Sequence, residues 1–186
     1  MRVVGPLDAG EFSSLYTMLG KVNVPLRSKQ GNNSRRGFGT HRSMTFGLVR
    51  PRFTSRICTS RATRDFPDIH AEIVRLGKLL APDFEFASIH LNKNVVCPPH
   101  KDSTNVGLSM VVSFGEYTGC ELVVDGAVVD ARHRGVIFDG SSVEHSNIPT
   151  LGGTKYSLVY FQPQCSRAAP PSQKADLACQ GSASGS

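Results

Sequence analysis

The sequence contains no apolar run approaching the roughly 18 residues that a membrane-spanning helix needs. It also contains no Cys-x-x-Cys pair, and its five cysteines are an odd number. These absences argue against a membrane anchor, a disulfide framework and a cysteine zinc site. We therefore expect an intracellular protein in a reducing compartment, the cytoplasm or the nucleus.

Acidic residues are absent between Glu11 and Asp65, although the chain has 15 of them. Eleven of the 21 lysines and arginines lie in this gap, and we call residues 21–64 the basic segment. The rest of the chain then has a net charge of −5, against +6 for the whole. Such a charge distribution attracts polyanions, so nucleic acid is a candidate partner, although a solvated surface or a flexible arm has the same composition.

Two segments have the spacing of apolar side chains that is typical of packed helices. Asp8 is placed to cap a helix from about Ala9 to Leu19, which Gly20 would end. Pro67 would open a second helix that ends before Pro82. Its apolar stripe consists of Ile69, Ile73, Leu76 and Leu80.

Between these helices, the polar, glycine-rich residues 27–39 predict a mobile loop, and residues 44–49 predict a strand. From Phe84 onward, short apolar runs alternate with turns, which is typical of an antiparallel sandwich or barrel. Asp125-Gly126 predicts a tight hairpin, because both residues accept positive φ angles. We predict eight strands: Phe84–Asn92, Pro98–Asp102, Leu108–Phe114, Cys120–Val124, Ala127–Asp130, Gly135–Phe138, Val143–Asn147 and Lys155–Gln162.

These patterns predict one domain over residues 1–163, with a basic N-terminal part (1–83) and a β core (84–163). Residues 164–186 are rich in Ser, Ala, Gly and Pro. They lack the apolar surface that would offset the entropy lost on ordering, so we predict a disordered tail.

His100-Lys101-Asp102 ends the second predicted β-core strand, and His145 lies in the seventh. Residues two apart on a strand point the same way, so His100 and Asp102 can bind one metal together. In a jelly roll these two strands are neighbours at the open mouth, which would bring His145 to the same metal. Two imidazoles and a carboxylate hold Fe(II) while leaving positions open to oxygen and a cosubstrate.

Lys155 begins the last predicted strand, and Ser157 points the same way. Together they can hold the far carboxylate of 2-oxoglutarate, which would supply the anion that a buried lysine requires. Each residue also has an ordinary alternative: Asp102 can cap a turn, His145 can be a loop histidine and Lys155 a solvated one. The order of all these residues along the strands favours the metal site.

Three stretches carry a resemblance: "LNKNVVCPPHKDSTNVGLSMVVSFGEYTGCELVVDG", "VIFDGSSVEHSNIP" and "GTKYSLVYF". They resemble the Fe(II)/2-oxoglutarate-dependent dioxygenase superfamily over about residues 84–162. Within it they look most like the algal and protist relatives of the ten-eleven-translocation and J-binding-protein group, which oxidise methylated pyrimidines.

The resemblance implies a mainly β fold with flanking helices (α+β), in which a cupin-like double-stranded β-helix, or jelly roll, follows N-terminal helices. It also implies that His100, Asp102 and His145 bind iron, that Lys155 binds 2-oxoglutarate, that O2 is consumed, and that ascorbate is a candidate reductant.

Two positions depart from the pattern of these relatives. They usually have Gly-Gly-Glu-Leu where this chain has Gly119-Cys120-Glu121-Leu122. We expect the Cys120 thiol to be tolerated if it points outward. Many superfamily members have arginine where this chain has Lys155, and a lysine offers a point charge without a bidentate fork.

Three functions remain in competition. The leading one is a dioxygenase that hydroxylates a C–H bond of a modified nucleobase in DNA or RNA, with the basic segment tracking the phosphates. The second is a protein side-chain hydroxylase of the prolyl type. The third is a cupin-like module that binds metal without turnover.

Overall fold

The computed structural model of this protein describes residues 1–27, 41–51 and 56–168. Its helices are α1 (Ser13–Gly20), α2 (Arg61–Asp65) and α3 (Pro67–Leu80), with 3-10 helices at Ala9–Phe12 and Gln164–Ala168. Its strands are β1 (Arg2–Val4), β2 (Leu26–Arg27), β3 (His41–Val49), β4 (Cys58–Thr59), β5 (Ser88–Lys93), β6 (Ser109–Phe114), β7 (Tyr117–Gly119), β8 (Leu122–Val124), β9 (Ala127–Val129), β10 (Gly135–Phe138), β11 (His145–Asn147), β12 (Thr150–Gly153) and β13 (Tyr156–Phe161). No helix among these residues is long and apolar enough to cross a membrane.

Both predicted helices form. The Asp8 carboxylate accepts a hydrogen bond from the backbone N–H of Gly10 at 2.7 Å, but the capped turn is a 3-10 helix that leads into α1. Pro67 opens α3, and all four residues of its predicted stripe are buried. These two helices cover one face of the largest sheet.

The largest sheet has eight antiparallel strands in the order β1-β10-β6-β13-β5-β3-β2, with β4 paired to β3. Side chains on one face of this sheet pack against the helices; we call it the helix face. They include Met44, Phe46, Ile89, Leu91, Met110, Val112, Tyr156, Leu158 and Tyr160. Because side chains alternate along a strand, the residues between them form a second face, which we call the cavity face.

Opposite the cavity face lies a smaller sheet of β11, β8 and β9, which a bridge between His100 and His145 extends. The two sheets enclose the cavity as in a jelly roll, which confirms the predicted fold class. The predicted hairpin is also present, because β8 pairs with β9 and φ is 52° at Asp125 and 76° at Gly126.

Several boundaries differ from the predictions. Residues 98–102 form only the single bridge at His100, and β7 and β12 are short strands that we did not predict. Gln164–Ala168, expected in the tail, form a 3-10 helix. Residues 169–186 and most of the predicted loop at 27–39 lie outside the described residues.

Candidate metal and keto-acid site

The three predicted metal ligands lie together at one end of the cavity. His100, Asp102 and His145 each offer a ligand atom, and these atoms lie within 4.8 Å of one another. Backbone hydrogen bonds fix their positions: His100 and His145 exchange N–H···O bonds of 3.0 Å, and the Asp102 N–H donates to the Gly140 carbonyl at 2.7 Å. Residues 45 positions apart in the sequence are thereby held in register.

The orientation of both imidazoles favours metal binding through Nε2. His100 Nδ1 lies 2.8 Å from the Pro98 carbonyl, and His145 Nδ1 lies 3.1 Å from the Val143 carbonyl. A carbonyl oxygen only accepts hydrogen bonds, so Nδ1 must carry the proton in each neutral ring. Each Nε2 therefore presents a lone pair toward Asp102.

The Asp102 carboxylate supplies the negative charge of this cluster. Its oxygens lie 3.8 Å from Nε2 of His100 and 3.6 Å from Nε2 of His145. Burial lowers the pKa of His145, but the hydrogen bond to Asp102, together with the Val143 carbonyl, outweighs it, so the pKa is raised overall. The same field that stabilises an imidazolium here would stabilise a bound cation.

A cavity of about 180 Å³ extends from these ligands between the two sheets. The cavity face contributes His90, Asn92, Ser157, Val159, Phe161 and, from β10, Phe138, while Leu122 on β8 lines the opposite wall beside the polar residues of the cluster. Ligand-binding cavities of enzymes commonly combine apolar walls with a few convergent polar groups.

Lys155 lies in the wall of this cavity, and its side chain is buried, with 7% of the residue exposed. The ammonium Nζ donates to the Cys120 carbonyl and lies 3.2 Å from the Cys120 sulfur. It also lies 5.6 Å from the centre of the Tyr117 ring. No carboxylate pairs with it among the described residues. A buried ammonium is costly unless an anion pairs with it, so Lys155 is a candidate partner for an anion in the cavity.

Ser157 and Asn92 line the cavity beside Lys155, on neighbouring strands β13 and β5. The Asn92 amide nitrogen lies 3.5 Å from the Ser157 hydroxyl. Asn92 is 8% exposed, and its Oδ1 has no hydrogen-bond partner among the described residues. Since buried polar atoms are normally paired, this oxygen is a candidate acceptor for a group in the cavity.

Comparisons with known proteins bear on the fold. No family model matches this chain, and no curated protein matches it either. Solved structures do match. NgTET1 in complex with 5mC DNA has a TM-score of 0.57 at 14% identity, over 87% of this chain and 70% of that one. A 2OG-Fe(II) oxygenase family oxidoreductase from Burkholderia pseudomallei gives 0.52 at 16%, over 84% and 80%. A prolyl-4-hydroxylase from Pseudomonas putida gives 0.50 at 16%, over 87% and 91%.

The chain has the fold of the 2OG-Fe(II) oxygenases. In this oxygenase fold the small sheet carries His145, and His100 joins it through the bridge. Lys155 precedes β13 of the large sheet, so the three candidate metal ligands and the Lys155 ammonium approach the cavity from different sides.

His90 is a cavity residue that the sequence analysis did not single out: it lies on β5, which begins at Ser88, and it lines the cavity. Its Nδ1 lies 2.9 Å from the Thr45 hydroxyl on β3. The signal was present in the alternation of β5, where apolar Ile89 and Leu91 flank His90 and set it on the opposite face.

The placement of Cys120 corrects an expectation. Its thiol does not point outward: the residue is 1% exposed and its sulfur contacts the Lys155 ammonium. The backbone φ of Cys120 is 64°, in the left-handed region that residues other than glycine rarely adopt. No sequence pattern indicated this contact, because Cys120 lies in the β7–β8 connection and Lys155 lies just before β13, 35 residues later.

Proposed function

We propose that this chain is an Fe(II)- and 2-oxoglutarate-dependent dioxygenase that hydroxylates a C–H bond. The observation that carries the proposal is the cluster of His100, Asp102 and His145 beside a cavity whose wall contains the buried ammonium of Lys155, which pairs with no carboxylate among the described residues. Either feature alone would suit many proteins. Their presence in one cavity suits an enzyme that binds a metal and an anionic cosubstrate together.

The donor set fits iron. Two imidazole nitrogens and one carboxylate oxygen form the facial triad typical of non-haem Fe(II) oxygenases, which leaves further metal positions open. When bound, iron would activate O2 for the coupled decarboxylation of 2-oxoglutarate, which yields succinate and carbon dioxide, and hydroxylation of the substrate. The hydrogen bonds from Nδ1 of His100 and His145 would hold both rings in the required tautomer.

Lys155 would orient the keto-acid by pairing with its far carboxylate. Burial strengthens such an ion pair, because little water competes for either charge. Ser157 and the Asn92 amide would hydrogen-bond the same molecule from the cavity face. The apolar side chains of Phe138, Val159 and Phe161, which also line the cavity, would exclude water from the reacting atoms.

For substrate we propose a nucleobase in DNA or RNA. Five arginines of the basic segment are exposed: Arg42, Arg50, Arg56, Arg61 and Arg64. Lys101 lines the cavity next to the metal cluster and is also exposed. Phe161 and His90 offer ring faces in the cavity, and an extruded base is commonly held by stacking on such rings.

Anaerobic titration with Fe(II) and 2-oxoglutarate tests the cosubstrates. We expect a charge-transfer absorption band that needs both ligands, and succinate release when oxygen is admitted. Lys155→Met should weaken 2-oxoglutarate binding by about 30-fold or more, because breaking a buried charge pair costs about 2–5 kcal/mol. Metal binding without any keto-acid binding would instead support the non-catalytic cupin-like module.

Salt dependence tests the nucleic-acid substrate. Affinity for an oligonucleotide that contains 5-methylcytosine should fall with salt, with a log–log slope of about −0.9 per phosphate contact. Arg35→Gln/Arg36→Gln in the basic segment should reduce that slope, whereas Arg2→Gln/Arg134→Gln, which removes the same charge elsewhere, should not. If oligonucleotide affinity does not change with salt concentration and the protein hydroxylates a proline-containing peptide, the prolyl-type hydroxylase is favoured.

A further inference from the structure

Cys120 lies in the β7–β8 connection and contacts the Lys155 ammonium through two of its atoms. Its carbonyl oxygen and its sulfur both face the Lys155 ammonium. The sulfur also lies 2.8 Å from the amide nitrogen of Asn147 on β11. Cys120 thus contacts both Lys155, which lies beside the large sheet, and Asn147, which lies on β11 of the small sheet.

The backbone conformation of Cys120 makes this double contact available. At φ of 64°, the chain turns so that the carbonyl and the side chain of one residue reach the same ammonium. The left-handed region is unfavourable for an L residue with a β-carbon. Strain of this kind at a buried position is associated with functional sites.

The contacts of Lys155 define what Cys120 contributes. A lysine ammonium has three N–H donors. Two of them are directed at Cys120, which leaves one for a group in the cavity. Without the sulfur, the four-carbon side chain of Lys155 would be held at its end by one carbonyl and by the more distant Tyr117 ring.

We propose that Cys120 is a positioning residue that holds the Lys155 ammonium in place for the far carboxylate of the keto-acid. This inference rests on the proposed function. A preorganised ammonium binds that carboxylate without first losing rotamer freedom, so the sulfur contributes to affinity for a dicarboxylic keto-acid. It contributes nothing to a keto-acid that lacks the far carboxylate.

The test compares 2-oxoglutarate with 2-oxobutyrate, which has no far carboxylate, on the Fe(II)-loaded protein without oxygen. Cys120→Ala keeps the β-carbon and removes the sulfur. It should raise the Kd for 2-oxoglutarate by about 3- to 10-fold, the effect of one lost hydrogen bond, and leave the Kd for 2-oxobutyrate unchanged. Cys120→Ser keeps an acceptor at the same position and should restore most of the affinity.

A second variant protects the test against misfolding. Cys120→Gly also lacks the sulfur and adopts a φ of 64° without strain, so it should show the same selective loss. Equal changes for both keto-acids, or no change for either, would overturn the positioning role. If the unmodified protein bound 2-oxoglutarate no better than 2-oxobutyrate, the proposed function itself would fail, and this inference with it.

Discussion

The two faces of the large sheet are built from alternate residues of the same strands, yet they have opposite character. On β13, Leu158 and Tyr160 point to the helix face and are 0% exposed. Their neighbours Ser157, Val159 and Phe161 line the cavity. The period of two along a strand therefore separates the residues that stabilise the fold from those available for chemistry.

Polar groups follow the same division. On the helix face the Tyr160 hydroxyl donates to the Ile73 carbonyl at 2.7 Å, and burial raises the pKa of this tyrosine. On the cavity side, Asn92 Oδ1 lacks a partner among the described residues, and Lys155 lacks a carboxylate. Complete pairing is typical of structural interiors, whereas incomplete pairing is tolerated where a ligand completes it.

Asp102→Ala should give the largest effect, because it separates metal binding from the stability of the fold. It removes the anionic ligand from the proposed metal site, so we expect Fe(II) affinity to fall by more than the roughly 100-fold loss caused by changing a residue that only orients a ligand. Stability without metal should change by less than about 1 kcal/mol, because the Asp102 side chain is partly exposed. Metal titration and urea unfolding measure the two effects, with exposed Asp83→Ala as control. Unchanged Fe(II) affinity would contradict the assignment of Asp102.

Leu158→Ala and Val159→Ala probe adjacent residues on opposite faces. Leu158 is fully buried against the helices, so its truncation should cost about 2–5 kcal/mol of unfolding free energy. Val159 borders the cavity and is only partly buried, so its truncation should cost about 1 kcal/mol. Urea unfolding of the metal-free protein gives both values. Equal losses would mean that the cavity face is as important to the core as the helix face.

Gly77→Ala tests how tightly α3 packs on the helix face. Alanine is normally the better helix former by about 1 kcal/mol. Here a β-carbon would lie 2.5 Å from a ring carbon of Tyr160, whose buried ring is held by its hydrogen bond to Ile73. We expect a net loss of up to about 2 kcal/mol of unfolding free energy, because overpacking costs about 1–3 kcal/mol and the helix preference offsets about 1 kcal/mol of it. A rise in the urea midpoint of unfolding would show that the Tyr160 ring can move aside. The control is Gly20→Ala, because a β-carbon added there has no other atom within 4 Å.

Local patterns in the sequence, together with the expected fold, predicted the helix face and the clustering of His100, Asp102 and His145. The stripe of α3 and the turn at Asp125-Gly126 depend on neighbouring residues, so periodicity and φ preference are enough to predict them. The proximity of His100 and His145 followed from the strand order that a jelly roll requires. These predictions needed the type of fold but no detailed packing.

Contacts between sheets were not predictable in this way. Cys120 and Lys155 lie 35 residues apart, and their meeting depends on a left-handed residue in the β7–β8 connection. The Pro98–Asp102 segment, which we predicted as a strand, begins with two prolines that cannot donate to a ladder, and it pairs only at His100, where it meets β11. Strand length and side-chain direction at such positions are set by tertiary packing, which overrides local preference.

Changing His133 should have the smallest effect on stability of the changes considered. This residue lines neither the cavity nor the candidate metal site. Its ring stacks on Phe12 at 4.9 Å, and burial, followed by the nearby Arg132 charge, lowers its pKa. The unfolded state then binds the proton more readily, so stability is complete above the ordinary histidine pKa and declines as the pH falls from there toward the lowered value. His133→Asn, which tolerates the left-handed φ of 58°, should therefore lose less stability than the unmodified protein between pH 7.5 and about pH 5. Urea unfolding of both proteins without metal measures the difference, and an equally steep decline in the variant would assign the pH dependence to other groups.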